Sequence, residues 1–273
     1  MGNSYRSLPI DLLQKEKTTE VYENDNFNIS VTSAQGKRYL NQDEFDIALE
    51  VNNFTGSWFG LYDGHSGSES SKMAKYNLLS LVNFEGPGSL IDKVILGFLK
   101  FNEVMYLQTK EKNTSGTTAN VILTIKDYFI CFNLGDTRSL LIKNNGYVIM
   151  SKDQKPNNPE EEKIIKLGGG KVKNNRINGT LGTGRAFGNF KLEEMISSLP
   201  EYKICKRSKK DLFLIIACDG LWDVLNNDEV YEIIIKECEN NVETKIISEK
   251  LVDLALERGS TDNITIILIK IKN

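Results

Sequence analysis

Residues 119–143 read ANVILTIKDYFICFNLGDTRSLLIK. Three apolar runs, ANVILTI, YFICFNL and RSLLIK, are rich in β-branched and aromatic residues. They are separated only by Lys126-Asp127 and by Gly135-Asp136-Thr137. The runs are too short for helices, and the breaks carry turn residues, so the pattern predicts consecutive strands joined by tight turns. Short breaks of this kind suit antiparallel hairpins. Because the runs are apolar almost throughout, both faces of these strands are expected to be covered.

The same signature recurs outward in FNISVTS (27–33), FDIALEV (45–51), SWFGLY (57–62), LFLIIAC (212–218) and ITIILIKI (264–271). Helical spacing appears in SLIDKVILGFLKFNEVMYLQTKEK, where Ile91, Val94, Ile95, Phe98, Asn102 and Met105 share a face. It appears again in VETKIISEKLVDLALERG through Ile247, Leu251, Leu254 and Arg258, with Gly259 as the stop. SESSKMAKYNLLSLV (68–82) is expected to be a third helix. Adjacent helices, a block of hairpins, more helix and a last strand make an α+β order, not the alternation of a doubly wound sheet. Residues 1–24 are polar and mixed and read as an N-terminal tail, leaving 25–273 as one domain.

Composition narrows the function. Lys plus Arg number 34 and Asp plus Glu 37, a net charge of -3, so no basic field is available for nucleic acid. His65 is the one histidine, which excludes zinc centres built on several imidazoles. Cys131, Cys205, Cys218 and Cys238 form no C-x-x-C pair and read as free thiols of a reducing compartment. No apolar run reaches the roughly 18 residues of a membrane span. The N-terminus MGNSYRSLPIDLL has no signal-peptide core, and Arg6 stands where a myristoylation motif at Gly2 wants Ser or Thr. The expectation is a cytoplasmic or nuclear chain. GGGKV lacks the rest of a phosphate-binding loop, and in GTGRAFG Phe187 occupies the place of the third glycine, so neither reads as a nucleotide site.

The acidic residues stand at strand ends. Asp63 closes WFGLY and opens DGHSG, and Asp136 closes YFICFNLG. Asp219 closes LFLIIAC and opens DGLWD, which also supplies Asp223. Asp262 precedes the last strand, and Asp43 follows LNQ. Carboxylates on the ends of rigid strands, next to glycine, converge on one cleft if the ends converge. Such a group cannot all ionise without cations, and oxygen-only donors suit Mg2+ or Mn2+.

Eight segments in order carry a resemblance to the metal-dependent serine/threonine protein phosphatases of type 2C. They are RYLNQD (38–43), FGLYDGHSG (59–67), SGTTA (115–119), NLGDTR (133–138), DQKP (153–156), RINGTLGTGRAFGN (176–189), CDGLWD (218–223) and GSTDNIT (259–265). The resemblance implies two stacked antiparallel sheets flanked by helices on both faces, with the site at one edge. It implies that Asp63 bridges two ions and the Gly64 carbonyl binds one of them. Asp219 and Asp262 complete the other ion, and Asp43 acts through metal-bound water. Asp136 and Asp223 match a weaker third position. Arg38 is expected to clamp the substrate phosphate and His65 to protonate the leaving serine oxygen. The implied substrates are phosphoproteins, and the enzyme is expected to be a monomer.

The chain departs from the family pattern at Gln42 (often Glu), Ser66 (Gly), Gln154 (His), Gly184 (Ser) and Asn189 (Asp). The last two border the flap beside the site and bear on substrate choice more than on metal binding. They also favour the alternative of a pseudophosphatase that keeps the fold as a binding module. Against it, a pure scaffold need not keep costly buried carboxylates.

Overall fold

The structure, a computed structural model, describes residues 17–51, 54–110, 112 and 114–272. The strand runs form two antiparallel sheets. The first contains β1 (Lys17–Glu23), β2 (Phe27–Ala34), β3 (Glu44–Ala48) and β4 (Ser57–Tyr62) only in part: β1 and β2 belong to one sheet, β3 and β4 to the other. Then follow β5 (Ala119–Ile125), β6 (Tyr128–Leu134), β7 (Arg138–Lys143), β8 (Gly146–Ile149), β9 (Glu201–Lys206), β10 (Asp211–Ala217) and β11 (Ile264–Ile271). One sheet has the order β1-β2-β11-β10-β7-β8, the other β9-β6-β5-β4-β3. The 119–143 stretch therefore supplies hairpin strands β5 and β6 to one sheet and crosses at Gly135–Thr137 to place β7 in the other.

Alternation along each strand sends one set of side chains between the sheets and the other outward. Phe27, Ile29 and Val31 of β2 meet Phe59 and Leu61 of β4, with Leu214, Ile216, Ile267 and Ile269 completing the inter-sheet core. The outward set needs a second cover, and the helices provide it. α1 (Glu69–Asn77) and α2 (Leu90–Thr109) lie on the smaller sheet, where Val94, Phe98, Phe101 and Met105 pack on Val121, Phe132 and Leu134. α3 (Pro159–Leu167) packs through Ile165 on Ile177 and Ile196 at the base of the flap. α4 (Asp219–Trp222), α5 (Asn227–Glu239) and α6 (Thr244–Glu257) cover the larger sheet through Leu221, Ile234, Ile247 and Leu251. Burying each such aliphatic side chain is worth about 1.5–3 kcal/mol. The expected four-layer α+β sandwich is the observed one.

Local signals set the helix ends. Ser89 and Asp92 form a reciprocal capping box at the start of α2, and Asn226 and Glu229 do the same for α5. The third expected helix is shorter than its sequence pattern: α1 ends at Asn77 and continues only as a 3-10 turn, Leu79–Leu81. The strand expected over 45–51 ends at Ala48. The tail expected over 1–24 is also revised. Lys17–Glu23 is a strand, paired residue for residue with Asn28–Ala34 of β2. It is an edge strand, largely exposed on both faces, so its side chains carry no burial pattern to read. Gly2 lies outside the described residues. All four cysteines are free; Cys131 and Cys218 are buried, while Cys205 and Cys238 are half-buried. No helix among the described residues is long and apolar enough to cross a membrane.

Candidate active site

At one end of the sandwich the strand ends meet in a cleft of about 470 Å³. Asp63, Asp136, Asp219, Asp223 and Asp262 line it, and Arg38 and His65 stand on its wall. Asp43 lies just beneath. One oxygen each of Asp43 and Asp63 and the Sγ of Cys218 fall within 4.8 Å of one another. The strand-end reasoning thus brings together every carboxylate it singled out.

Backbone bonds hold the frame. The Thr118 N–H donates to the Asp63 carbonyl (2.9 Å), and the Asp63 N–H donates to Thr118 Oγ1 (3.2 Å). Asp219 sits in the first turn of α4. Asn263 accepts from the Gln42 N–H (2.9 Å) and donates to the carbonyls of Gln35 and Leu40, pinning the loop that carries Arg38. A Cβ on Gly64 would stand 2.4 Å from the Gln42 carbonyl oxygen, so only glycine lets these two loops close on the cleft.

The electrostatics are those of crowded, buried acids. Burial pushes Asp63 well above the usual carboxylate range, and the charges of Asp219 and Asp43 push it further. Asp219 is raised by burial and by Asp136 and Asp262. Asp43 and Asp136 are each pushed up to about 6, mainly by burial. Asp43 is only 8% exposed, and neither of its carboxylate oxygens has a hydrogen bond of good geometry, with Thr265 and Cys218 among its polar neighbours. An ionised carboxylate left so is costly. A hard divalent cation supplies what this arrangement lacks, and the donor set of carboxylates with the Gly64 carbonyl fits one. Cys218, a soft donor in the same group, is instead engaged by the Thr265 N–H (3.1 Å).

The remaining expected residues are present with particular partners. Arg38 Nη2 lies 2.6 Å from Asp262 Oδ2. Asp223, 59% exposed, faces Lys155 Nζ at 3.3 Å. The His65 Nε2–H donates to Asn189 Oδ1 (2.6 Å), and burial holds the imidazole below its ordinary 6.5. This pair needs Gly116, since a Cβ there would come within 1.9 Å of Asn189 Oδ1 and 2.4 Å of His65 Nε2.

The departures acquire structural meaning. Asn189 adopts φ +52°, a conformation asparagine tolerates, while presenting its amide to His65. Ser66 has φ +58°, the left-handed region in which glycine is at ease, so the serine is held under strain. Gln154 is buried and accepts from the Gly135 N–H through Oε1 (2.6 Å), while its own N–H donates to the Gly135 carbonyl (3.0 Å). It therefore clamps the turn that holds Asp136. Glu161 grips Arg185 through both oxygens, tying α3 to the flap. Gly116, Lys155 and the Asn189–His65 bond were not legible as site features in the sequence. Each depends on contacts between segments far apart in the chain.

Residues 30–264 match the protein phosphatase 2C family. The chain belongs to that family and is an enzyme of the protein-phosphatase class. It is 31% identical to protein phosphatase 1A of Bos taurus and 30% identical to that of Homo sapiens, each over 97% of this chain and 76% of the relative. Its fold is similar to that of a phosphatase from Toxoplasma gondii, with a TM-score of 0.83, 19% identity, and 94% of this chain and 96% of that one covered.

Proposed function

We propose that this chain hydrolyses phosphoserine and phosphothreonine in proteins with two Mg2+ or Mn2+ ions per subunit and a weaker third. The observation that carries this reading is the buried Asp43, with neither oxygen in a hydrogen bond of good geometry, beside Asp63 in a cleft of mutually raised carboxylates. Asp43, Asp63, Asp219, Asp262 and the Gly64 carbonyl hold the two ions, and Asp136 with Asp223 holds the third. Bound there, the cations supply Lewis-acid stabilisation of the phosphoryl oxygens and a nucleophile at neutral pH.

The chain's own groups do the rest. Arg38 is exposed and close to the cleft floor, and its guanidinium fork turns from Asp262 to the phosphate oxygens when substrate arrives. His65, neutral at pH 7 in the buried state, gains its proton as a phosphate anion nears the ring and delivers it to the leaving serine or threonine oxygen. Asn189 fixes the ring orientation for that transfer. Among the described residues no cysteine lines the cleft, and the sequence holds no C-x5-R loop of a covalent phosphatase. The substrates are phosphoproteins, and the enzyme acts as a monomer in the cytoplasm or nucleus. The retained buried carboxylates weigh against the scaffold alternative more than the departures at Gly184 and Asn189 weigh for it.

The test is turnover of a phosphoserine peptide in excess EDTA and after adding back Mn2+ or Mg2+. Activity is expected to vanish and return. Full turnover in excess chelator refutes the reading.

A further inference from the structure

Of the cations on the cleft wall, Arg38 pairs with Asp262 and Arg176 donates to the Thr180 carbonyl. Lys155 is placed differently. Gln154 and Gly135 exchange two hydrogen bonds, and each is followed directly in the chain by Lys155 and Asp136. The clamp thus joins the two segments that carry Lys155 and Asp136, and both side chains line the same cleft. Pro156 follows Lys155 and stiffens the strand of chain that presents it. The neighbouring carboxylate Asp153 is unavailable to the lysine, because both its oxygens are held by Arg138 at 2.9 and 2.6 Å. Lys155 Nζ reaches across the cleft to Asp223 Oδ1 at 3.3 Å. Among the charges acting on Lys155, those of Asp136 and Asp223 come first, and Lys155 in turn is the main charge opposing the burial cost of Asp136.

We propose that Lys155 is a tethered counter-cation for the Asp136–Asp223 pair and that it weakens divalent cation binding at that pair. The inference rests on the metal reading above. With side chains 35% and 59% exposed, the Lys155–Asp223 pair contributes little to folding stability. Its consequence is competitive. A divalent cation entering between Asp136 and Asp223 must displace the ammonium or bind beside it. The lysine supplies part of the neutralisation an ion would otherwise provide, so the carboxylates stay in place while the pair is only weakly metallated.

The experiment titrates Mn2+ alone into the metal-stripped full chain, without substrate, by calorimetry and by the paramagnetic resonance of free Mn2+. Lys155→Met is expected to tighten the weakest binding step by about tenfold or more, since one unit charge is removed beside a divalent ion. Lys155→Arg keeps the charge and is expected to titrate like the parent. In the double variant Asp136→Asn with Lys155→Met, the tightened step disappears. An unchanged weakest step in Lys155→Met, or equal tightening in Lys155→Arg, overturns the proposal. So does tightening that survives Asp136→Asn. A parent chain that binds no Mn2+ at all overturns the proposed metal mechanism and this inference with it.

Discussion

Asp43→Asn should make the metal-stripped protein more stable, and by an amount that depends on pH. In the fold burial pushes Asp43 up to about 6 from 3.8; Thr265 and Cys218 oppose the rise, and the charges of Asp262 and Glu44 add to it. An acid whose pKa rises on folding contributes its stability fully below the unfolded value and loses it as pH climbs through the folded one. The loss is therefore small near pH 4 and complete above about pH 7. A rise from 3.8 to about 6 corresponds to about 3 kcal/mol at 1.36 kcal/mol per pH unit. Asparagine is neutral throughout and nearly the same shape as the protonated acid. In EDTA at pH 7.5 the variant should thus gain about 2–3 kcal/mol over the parent, falling to about 0.5 kcal/mol at pH 4. Urea unfolding followed by tryptophan fluorescence is a suitable assay, since Trp58 and Trp222 are both buried, one under each helical layer. In excess Mn2+ the order should invert, because the aspartate then gains a ligand the asparagine holds less well. A variant no more stable than the parent at pH 7.5 in EDTA, or a gain of equal size at pH 4, would refute the argument from burial.

Asp63→Ala should abolish turnover while circular dichroism stays native; wild-type turnover in that variant would remove Asp63 from the site. His65→Gln should lose about 10²–10⁴-fold on a phosphoserine peptide and far less on p-nitrophenyl phosphate, whose leaving group needs no proton. Equal losses on both would mean that His65 only orients its neighbours. Ser66→Gly should raise stability by about 1 kcal/mol, read from the urea midpoint, by relieving a left-handed serine; an unchanged or lower midpoint would show that the φ of +58° carries no strain.

The two-sided strands were legible because their burial left no polar face: SWFGLY and YFICFNL are buried almost end to end and were bounded by turn residues. β1 and β9 escaped for the opposite reason. KTTEVYE and EYKICK are edge strands with most side chains in water, so neither an apolar run nor an alternation marks them. In the site, the carboxylates stood out because each abuts a strand end and a glycine. Their partners did not. Asn189 lies 124 residues from His65 in the chain, and no local pattern announces that pairing. Asparagine is frequent in the loops, and Asn174, Asn175, Asn178, Asn189 and Asn241 all occupy left-handed turns. Composition alone does not distinguish that use from chance, whereas backbone geometry does.

The sandwich has open margins at β1, β8, β9 and β3. Such margins are templates on which a second molecule could build an additional strand and begin a fibre. Three of the four carry charged side chains: Lys17, Glu20 and Glu23 on β1, Glu44 on β3, and Lys203 and Lys206 on β9. The fourth, β8, is only four residues long. A strand docking on any of the first three would have to desolvate those charges, and one docking on β8 would find too few bonds to repay its ordering. The same exposure that hid β1 and β9 from a reading of the sequence thus disfavours edge-to-edge addition to two large, strongly apolar sheets.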